Sequence, residues 1–292
     1  MNGPQLVLYT ALFAATVACS VAWYRVARRN RPNERFDRHD LAIGFVSMFL
    51  DTLGIGSYAI ITAWCKLRGR PSDELIPGTL NVSNAPAMFL SVLLFTVTID
   101  VDPLLLTCMA ASSAVGAWIG AAVVSRMPRR KIQLFMGIAL VIAAMFFVFS
   151  NLGIGPAPGA ARALHGWRFA LPVAVNFVLG ALMCIGIGNY APTMALLSVL
   201  GMHPMASYPV MMASDGLLIP VASLGFLKSG RYAHGPALGI FIGGLAGTLC
   251  AVPLVVKLSH YLPVARWVVS AVILYTGAMM LRSALARVRD QG

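Results

Sequence analysis

Two short glycine motifs carry the clearest chemical signal in the sequence. The first, LGIGSYA, spans residues 53–59, and the second, IGIGNYA, spans residues 185–191. In each motif, glycines precede a residue type that favours the start of a helix, Ser57 in one and Asn189 in the other. A helix start presents free backbone N–H groups and the positive end of the helix dipole, which together bind anions. The two motifs therefore predict a pair of anion-binding half-sites.

Each predicted half-site consists of four residues. They are Gly54, Gly56, Ser57 and Tyr58 in the first half-site, and Gly186, Gly188, Asn189 and Tyr190 in the second. The two tyrosine hydroxyls are expected to donate hydrogen bonds to an oxyanion, with packing at the tip of the motif as the alternative. The glycines also fit a second interpretation, in which they only permit close helix packing. The occurrence of two matched motifs favours the binding interpretation.

The first motif also fits the dinucleotide-binding pattern G-x-G-x-x-A. That pattern requires a strand, a turn and a helix in a parallel sheet. The flanking segments here, LAIGFVSMFLDT before the motif and AIITAWCKL after it, are instead apolar segments of membrane type. The context therefore excludes a dinucleotide site.

A second set of polar residues lies near prolines in the segments LNVSNAP (80–86) and MMASDGLLIP (211–220). A proline in a helix frees the carbonyl four residues earlier, so polar side chains beside it can line a cavity. We expect Asn81, Ser83, Asn84 and Ser214 to contribute to substrate binding. Hydrogen bonding between helices is the alternative role for these side chains.

Two aspartates, Asp51 and Asp215, occur inside apolar segments. An ionisable residue at membrane depth is costly and is a functional candidate by default. Each aspartate is a candidate carrier of a coupling proton. The alternative is structural, with Asp51 capping a turn and Asp215 solvated in a vestibule.

The composition is that of a polytopic membrane protein. Charged residues make up 11% of the chain and hydrophobic residues make up 59%. Uncharged runs at residues 6–24, 76–99, 103–124 and 236–256 are long enough to cross a bilayer as helices. The net charge of +12 comes from short basic clusters between these runs, which indicates membrane orientation and no nucleic-acid partner. The scattered cysteines and histidines support neither a metal site nor a cofactor.

The two motifs belong to a predicted internal repeat. Aligning them also brings Phe95 onto Phe226 and Gly116 onto Gly247. The predicted organisation is a first transmembrane helix and basic loop (1–39), repeat 1 (40–151), a linker (152–171), repeat 2 (172–282) and a cytoplasmic tail (283–292).

The distribution of Lys and Arg predicts that the repeats are inverted. If each glycine motif breaks a re-entrant hairpin, 18 basic residues fall on the cytoplasmic face and 4 fall outside. If each first segment crosses once, the split becomes 13 against 9. The positive-inside rule favours the hairpins. The predicted fold is therefore all-α and polytopic, with two inverted repeats, each a broken re-entrant hairpin plus three transmembrane helices, and one extra N-terminal helix. The N-terminus is expected outside and the C-terminus in the cytoplasm.

The sequence resembles the sulfite exporter TauE/SafE family, also called TSUP, over residues 40–285. The resemblance rests on GFVSMFLDTLGIGSYA and LGALMCIGIGNYAP, on GAWIGA, and on the helix entry MPRRKIQLFMGIAL. It implies a permease for small sulfur-containing anions such as sulfite, thiosulfate or organosulfonates, with proton coupling. The resemblance places the first helix outside the shared core.

These inferences predict a secondary transporter in the bacterial inner membrane, which holds its anion between two broken helices and works by alternating access. Its expected partners are the small anion and the lipid bilayer, and a homo-oligomer is left open. The alternative is a proton- or sodium-coupled cation carrier that uses Asp51 and Asp215 as ligands. A membrane-embedded enzyme is disfavoured because the apolar segments lack a convergent set of reactive side chains. A scaffold would not require two opposed helix breaks.

Overall fold

The structure is a computed structural model that describes residues 3–30, 34–53, 55–98, 101–153, 161–185, 189–202 and 204–251, with isolated positions between 267 and 285. Three predicted site residues, Gly54, Gly186 and Gly188, lie outside the described residues. Only the backbone of Tyr190 is described. Most of the predicted last helix and the tail 283–292 also lie outside them.

The described chain is helical from its beginning to residue 251. Its ten helices are α1 (Gly3–Asn30), α2 (Arg38–Thr52), α3 (Tyr58–Arg68), α4 (Ile76–Thr98), α5 (Pro103–Val124), α6 (Arg129–Asn151), α7 (Trp167–Met183), α8 (Tyr190–Val199), α9 (Pro204–Ser229) and α10 (His234–Ala251).

Four of these helices contain segments that are long and apolar enough to cross a membrane. The segments are Leu6–Arg29, Pro103–Val124, Pro209–Ser229 and His234–Ala251. At 1.5 Å per residue, a helix of about 20 residues matches the hydrocarbon thickness of a bilayer. The chain is therefore an α-helical, multi-pass membrane protein, as its composition predicts.

The first glycine motif interrupts a helix, as predicted. Helix α2 ends at Thr52 and α3 begins at Tyr58. Between them, Gly56 has φ of 84°, in the left-handed region that residues with a Cβ atom rarely adopt. The second interruption has the same place in its own segment, because α7 ends at Met183 and α8 begins at Tyr190.

One end of the helix bundle carries a set of ion pairs that joins successive loops; we call it the basic end. Arg68, the last residue of α3, pairs with Asp37 just before α2 at 2.9 Å. Arg129 at the start of α6 pairs with Asp73 in the α3–α4 loop at 3.2 Å. The N–H of Gly235 in α10 donates to Glu34 at 3.2 Å. The α2–α3 segment therefore begins and ends at the same end of the bundle.

The loops of the opposite end contact one another as well. The N–H of Asp102, before α5, donates to the carbonyl of Arg162 at 3.3 Å. The N–H of Ala161 donates to the carbonyl of Gly201, after α8, at 3.1 Å. Because residue 161 precedes α7 and residue 201 follows α8, the α7–α8 segment begins and ends at this opposite end.

The helices pack in a reciprocal pattern. Helix α2 packs most extensively against α10, and α7 packs against α5. Helices α4 and α9 contact each other at the centre, while α4 also packs against α10 and α9 against α5. Helix α1 lies outside this arrangement and packs mainly against α9 and α4.

Small residues allow close backbone approach in the α2–α10 and α5–α7 contacts. A Cβ atom on Gly243 of α10 would collide with the carbonyl of Leu41 in α2. A Cβ atom on Gly116 of α5 would collide in the same way with the carbonyl of Phe177 in α7. Small residues at such positions let helix backbones approach within a membrane, where helix association depends on packing.

Candidate functional site

The first helix break is filled by a buried carboxylate. The backbone N–H of Ser57 donates to Asp51 Oδ1 at 2.6 Å. Asp51 is only 3% exposed and Ser57 only 1%. A carboxylate at this position is stabilised by the positive end of the α3 dipole. Asp51 therefore occupies part of the helix start that the sequence predicts as an anion-binding group.

The hydroxyl of Ser57 is bonded to the next long helix. Asn84 in α4 donates from Nδ2 to Ser57 Oγ at 3.2 Å, and Asn84 is fully buried. Two buried atoms of this cluster, Asp51 Oδ2 and Asn84 Oδ1, have no hydrogen-bond donor among the residues that the structure describes. Buried acceptors without donors are costly, so this cluster has unused capacity to bind a positive group or a donor.

Ser57 and Asn189 occupy the N-cap positions of α3 and α8, as their residue types indicate, but neither side chain makes a capping hydrogen bond. Their backbones are already in the right-handed helical region, whereas a capping side chain usually turns back from extended backbone. The side chains are therefore free to bond to neighbouring elements, and Asp51 supplies a carboxylate to the α3 start.

Tyr58 has a defined partner on α4. Its hydroxyl donates to Asn81 Oδ1 at 3.1 Å, and Asn81 Nδ2 donates to the carbonyl of Pro77 at 2.8 Å. Pro77 lies in the first turn of α4. Both Tyr58 and Asn81 are buried. The phenolic proton is thus used within the protein in this state, and an oxyanion would have to compete with Asn81 for it.

The second break holds its own buried polar chain. Asn189 Nδ2 donates to Asp215 Oδ1 at 3.1 Å, and Thr193 Oγ1 donates to Asn189 Oδ1 at 2.6 Å. Asn176 in α7 donates to Ser214 Oγ at 2.9 Å and to the carbonyl of Met109 at 2.8 Å. All five side chains of this cluster are buried. This cluster ties α7, α8 and α9 together.

Two members of this cluster, Asn176 and Thr193, are not among the predicted site residues. Asn176 is nevertheless a polar side chain in an otherwise apolar helix, which is a signal for interhelical hydrogen bonding. Ser83, which is among the predicted residues, bonds only to the carbonyl of Leu80 in its own helix, at 3.1 Å. This bond favours a local role in helix α4 for Ser83 over a role in substrate binding.

The two clusters use equivalent positions. Aligning Phe95 with Phe226 brings Ser83 and Asn84 onto Ser214 and Asp215. Each break residue is therefore bonded to the equivalent position of the following long helix, through the Ser57–Asn84 pair in one half and the Asn189–Asp215 pair in the other.

The clusters also lie near each other. Asp51 and Asp215 are close enough for their charges to interact, and Tyr58 is within the electrostatic range of both. Neither aspartate takes part in a salt bridge with any described residue. The structure therefore brings both predicted coupling aspartates together with the two breaks in one buried polar region.

A separate ionic cluster lies at the basic end, outside the membrane-spanning segments. Asp73 accepts hydrogen bonds from Lys66 at 2.9 Å and from Gln133 at 2.6 Å, and it pairs with Arg129. Burial raises the pKa of this carboxyl, but the hydrogen bonds from Lys66 and Gln133 and the charge of Lys66 outweigh burial. The net pKa of Asp73 lies below the ordinary value of 3.8.

A cavity of about 730 Å³ lies at the opposite end of the bundle. Asp102, Leu104, Arg162, His165 and Phe169 are among its lining residues. Among the described lining residues, none is a predicted site residue. The cavity therefore contributes nothing to the helix-break region itself.

The helical architecture defines an α-helical multi-pass membrane protein with a buried polar region between its helices. A family model described as Sulfite exporter TauE/SafE matches residues 2–147, from α1 to most of α6. The chain belongs to the sulfite exporter TauE/SafE family. No curated protein and no solved structure matches it. The matched range includes α1, whereas the motifs that carry the resemblance begin at residue 40.

Proposed function

We propose that the protein carries a small sulfur-containing oxyanion, such as sulfite, thiosulfate or an organosulfonate, through the membrane. Membership of the TauE/SafE family supports an anion of this kind. The observation that carries the proposal is the meeting of two helix breaks, each bonded to the following long helix, in one buried polar region. Broken helices at matching positions are the usual location of transporter binding sites.

The binding site that we propose lies between the starts of α3 and α8. Backbone N–H groups would supply most of the anion affinity, because neither break contains a lysine or arginine. Ser57, Tyr58, Asn81 and Asn84 would contribute from the first half, with Gly54 and Gly56. Asn189, Tyr190 and Ser214 would contribute from the second half, with Gly186 and Gly188. We retain Ser83 only as a helix-bonded neighbour of this site.

The fold proposed for this activity has two inverted repeats, residues 40–151 and 172–282. The two broken segments support this fold because they enter the bundle from opposite ends. The α2–α3 segment starts and ends at the basic end, while the α7–α8 segment starts and ends at the opposite end. The main contacts pair α2 with α10 and α7 with α5, so the repeats are interlocked. Rocking of one repeat against the other would expose the site alternately to each side.

The orientation proposed for the protein puts the basic end in the cytoplasm of a bacterial cell, with an outward N-terminus. The positive-inside rule supports it, since Arg126, Arg129, Arg130 and Lys131 lie at this end together with the loops around Asp37 and Asp73. Asp51 and Asp215 would couple anion movement to protons.

Uptake into proteoliposomes tests this function. Purified protein would be supplied in turn with sulfite, thiosulfate, sulfoacetate, sulfate and acetate, with and without a pH gradient. We expect flux of at least one sulfur oxyanion above that of empty vesicles, and faster flux with a pH gradient. Cation flux without any anion flux would instead favour the cation carrier, an alternative supported by the absence of a basic partner for Asp51 and Asp215 among the described salt bridges.

A further inference from the structure

The region around Ser57 contains two buried hydrogen-bond acceptor atoms without a donor. Ser57 donates its N–H to Asp51 Oδ1, its hydroxyl also bonds to the Asp51 carboxyl, and its hydroxyl oxygen accepts from Asn84. Asp51 Oδ2 and Asn84 Oδ1 are both buried and have no donor in the part of the chain that the structure describes. Asp51 is 3% exposed and Asn84 is 0% exposed, so bulk water does not satisfy these oxygens through an open surface.

We propose that Asp51 and Asn84 form a binding site for one small monovalent cation, a proton or Na⁺, beside the start of α3. Both side chains are held by the same residue, Ser57, which keeps the carboxylate and the amide oxygen in one cluster. A proton on Asp51 Oδ2 would turn an acceptor into a donor, and a sodium ion would be coordinated by the carboxylate and amide oxygens. Either cation removes the cost of the unpaired buried oxygens.

The charges around Asp51 and Asn84 favour a bound cation. Asp215 on α9 and Tyr58 on α3 are the titratable groups whose charges interact with Asp51. Helix α4 has no titratable residue between Ile76 and Thr98. On α10, which packs against α2, the titratable side chains are His234, at the first residue, and the exposed Cys250. A positive charge at Asp51 would thus face a second carboxylate without an intervening basic group on these helices.

The second half of the molecule lacks this arrangement. The residue that aligns with Asp51 at the offset of the glycine motifs is Met183, and the residue that aligns with Asn84 is Asp215. Asp215 is bonded to the amide of Asn189. The proposed cation site is therefore single and belongs to the first break, which assigns different roles to Asp51 and Asp215.

The role of this cation rests on the proposed transport function, since a cation bound beside the anion site would neutralise Asp51 when the substrate arrives. Binding itself is independent of transport. It can therefore be measured on purified protein in lipid nanodiscs, without any anion.

Two probes distinguish the two cations. Infrared difference spectra between high and low pH report a protonated carboxyl, and ²²Na⁺ binding reports sodium. We expect one of the two signals in the natural protein. Asp51→Asn should remove the band of the Asp51 carboxyl or abolish ²²Na⁺ binding, and Asn84→Ala should shift that carboxyl band or weaken ²²Na⁺ binding at least tenfold. Ser91→Ala is the matched control, because it removes another buried hydroxyl without a partner on the same helix, and it should leave the signal unchanged.

The proposal is overturned if the natural protein gives neither signal, or if Asp51→Asn changes neither the carboxyl bands nor ²²Na⁺ binding. It is also overturned if Asn84→Ala behaves as Ser91→Ala does. A clear signal in a protein that moves no anion would leave the cation site standing and would remove the proposed transport function. Anion flux without either signal would overturn the cation site and leave the proposed transport function standing.

Discussion

The amide of Asn189 donates to the carboxylate of Asp215 over 3.1 Å, and this bond joins the start of α8 to the middle of α9. The equivalent positions in the first half are Ser57 and Asn84, which are joined by a bond of 3.2 Å. Each broken helix is thus held to its neighbouring long helix at the same place, although the chemical groups differ. Only the second pair contains an ionisable group.

Replacing Asn189 by alanine should therefore impair both stability and transport. The change removes the donor to buried Asp215 and also the acceptor for Thr193. Leaving a buried polar group without its hydrogen-bond partner costs about 1–3 kcal/mol, so the unfolding free energy should fall by about that amount. Thermal unfolding and anion uptake in proteoliposomes measure the two effects.

The matched control for this change is Ser198→Ala, on the last turns of the same helix. Ser198 takes no part in the Asn189–Asp215 cluster. If Asn189→Ala and Ser198→Ala gave equal unfolding temperatures and equal uptake, the bond to Asp215 would have no measurable role.

A second prediction concerns Tyr58 and Asn81. Tyr58→Phe leaves the Oδ1 atom of buried Asn81 without its donor, at an expected cost of about 1–2 kcal/mol in unfolding free energy. Asn81→Ala should remove most of that sensitivity. A double-mutant cycle should then give a coupling energy above about 0.5 kcal/mol. Tyr24→Phe, at an exposed tyrosine, is the control and should be neutral. Strict additivity of the two changes would contradict the bond.

The helix breaks could be predicted from sequence because their signals are local. Glycines at residues 54 and 56 followed by Ser57 are unfavourable inside a helix and favourable just before one, so the interruption between Thr52 and Tyr58 follows from residue type. The role of Ser57 could not be read in the same way. Its side chain points to Asn84 because tertiary packing places α4 beside the break, and local propensity carries no information about that neighbour.

The same limit explains the residues that sequence reasoning missed. Asn176 and Thr193 are isolated polar residues in the sequence. Their hydrogen bonds to Ser214 and Asn189 form only when α7, α8 and α9 pack together. The ionic partners of Asp73 come from two other elements, α3 and α6, and are 7 and 56 residues away in sequence. A charged residue in a loop predicts no particular partner before the loops are assembled.

A third prediction separates the two uses of glycine. Gly56→Ala places a Cβ atom on left-handed backbone, with no atom within 4 Å of it, so the cost should be limited to about 1–2 kcal/mol of backbone strain. Gly243→Ala places a Cβ atom against the carbonyl of Leu41 and should force α10 away from α2. We expect folded Gly56→Ala protein with a lowered unfolding temperature, and little or no folded Gly243→Ala protein in detergent. The reverse order of severity would contradict the close helix contact.

A fourth prediction concerns the membrane orientation. In a background without the five native cysteines, Arg130→Cys and Arg231→Cys should react with a membrane-impermeant thiol reagent from the same side, because both positions lie at the basic end of the bundle. Arg168→Cys, in the first turn of α7, should react from the other side. Labelling of intact cells and of inverted vesicles distinguishes the sides. Opposite labelling of positions 130 and 231 would refute the inverted repeats.

The last prediction uses the pH dependence of the ionic cluster at the basic end. The pKa of Asp73 in the folded protein lies below the ordinary value of 3.8, since the bonds from Lys66 and Gln133 outweigh the effect of burial. A depressed pKa in the folded state means that ionised Asp73 stabilises the fold above the unfolded pKa, and that this stabilisation is lost as the pH falls through the folded pKa.

Asp73→Asn should therefore cost about 3 kcal/mol near pH 7, because it leaves Lys66 without its buried partner. The difference in unfolding temperature between the natural protein and Asp73→Asn should stay constant down to about pH 4 and shrink below it. Glu74→Gln is the matched control: Glu74 pairs with Arg129 at 3.8 Å in a more exposed position, and its replacement should cost less than about 1 kcal/mol. A difference between the natural protein and Asp73→Asn that is already lost at pH 6 would show that Asp73 is protonated well above the pH range that its bonds to Lys66 and Gln133 require.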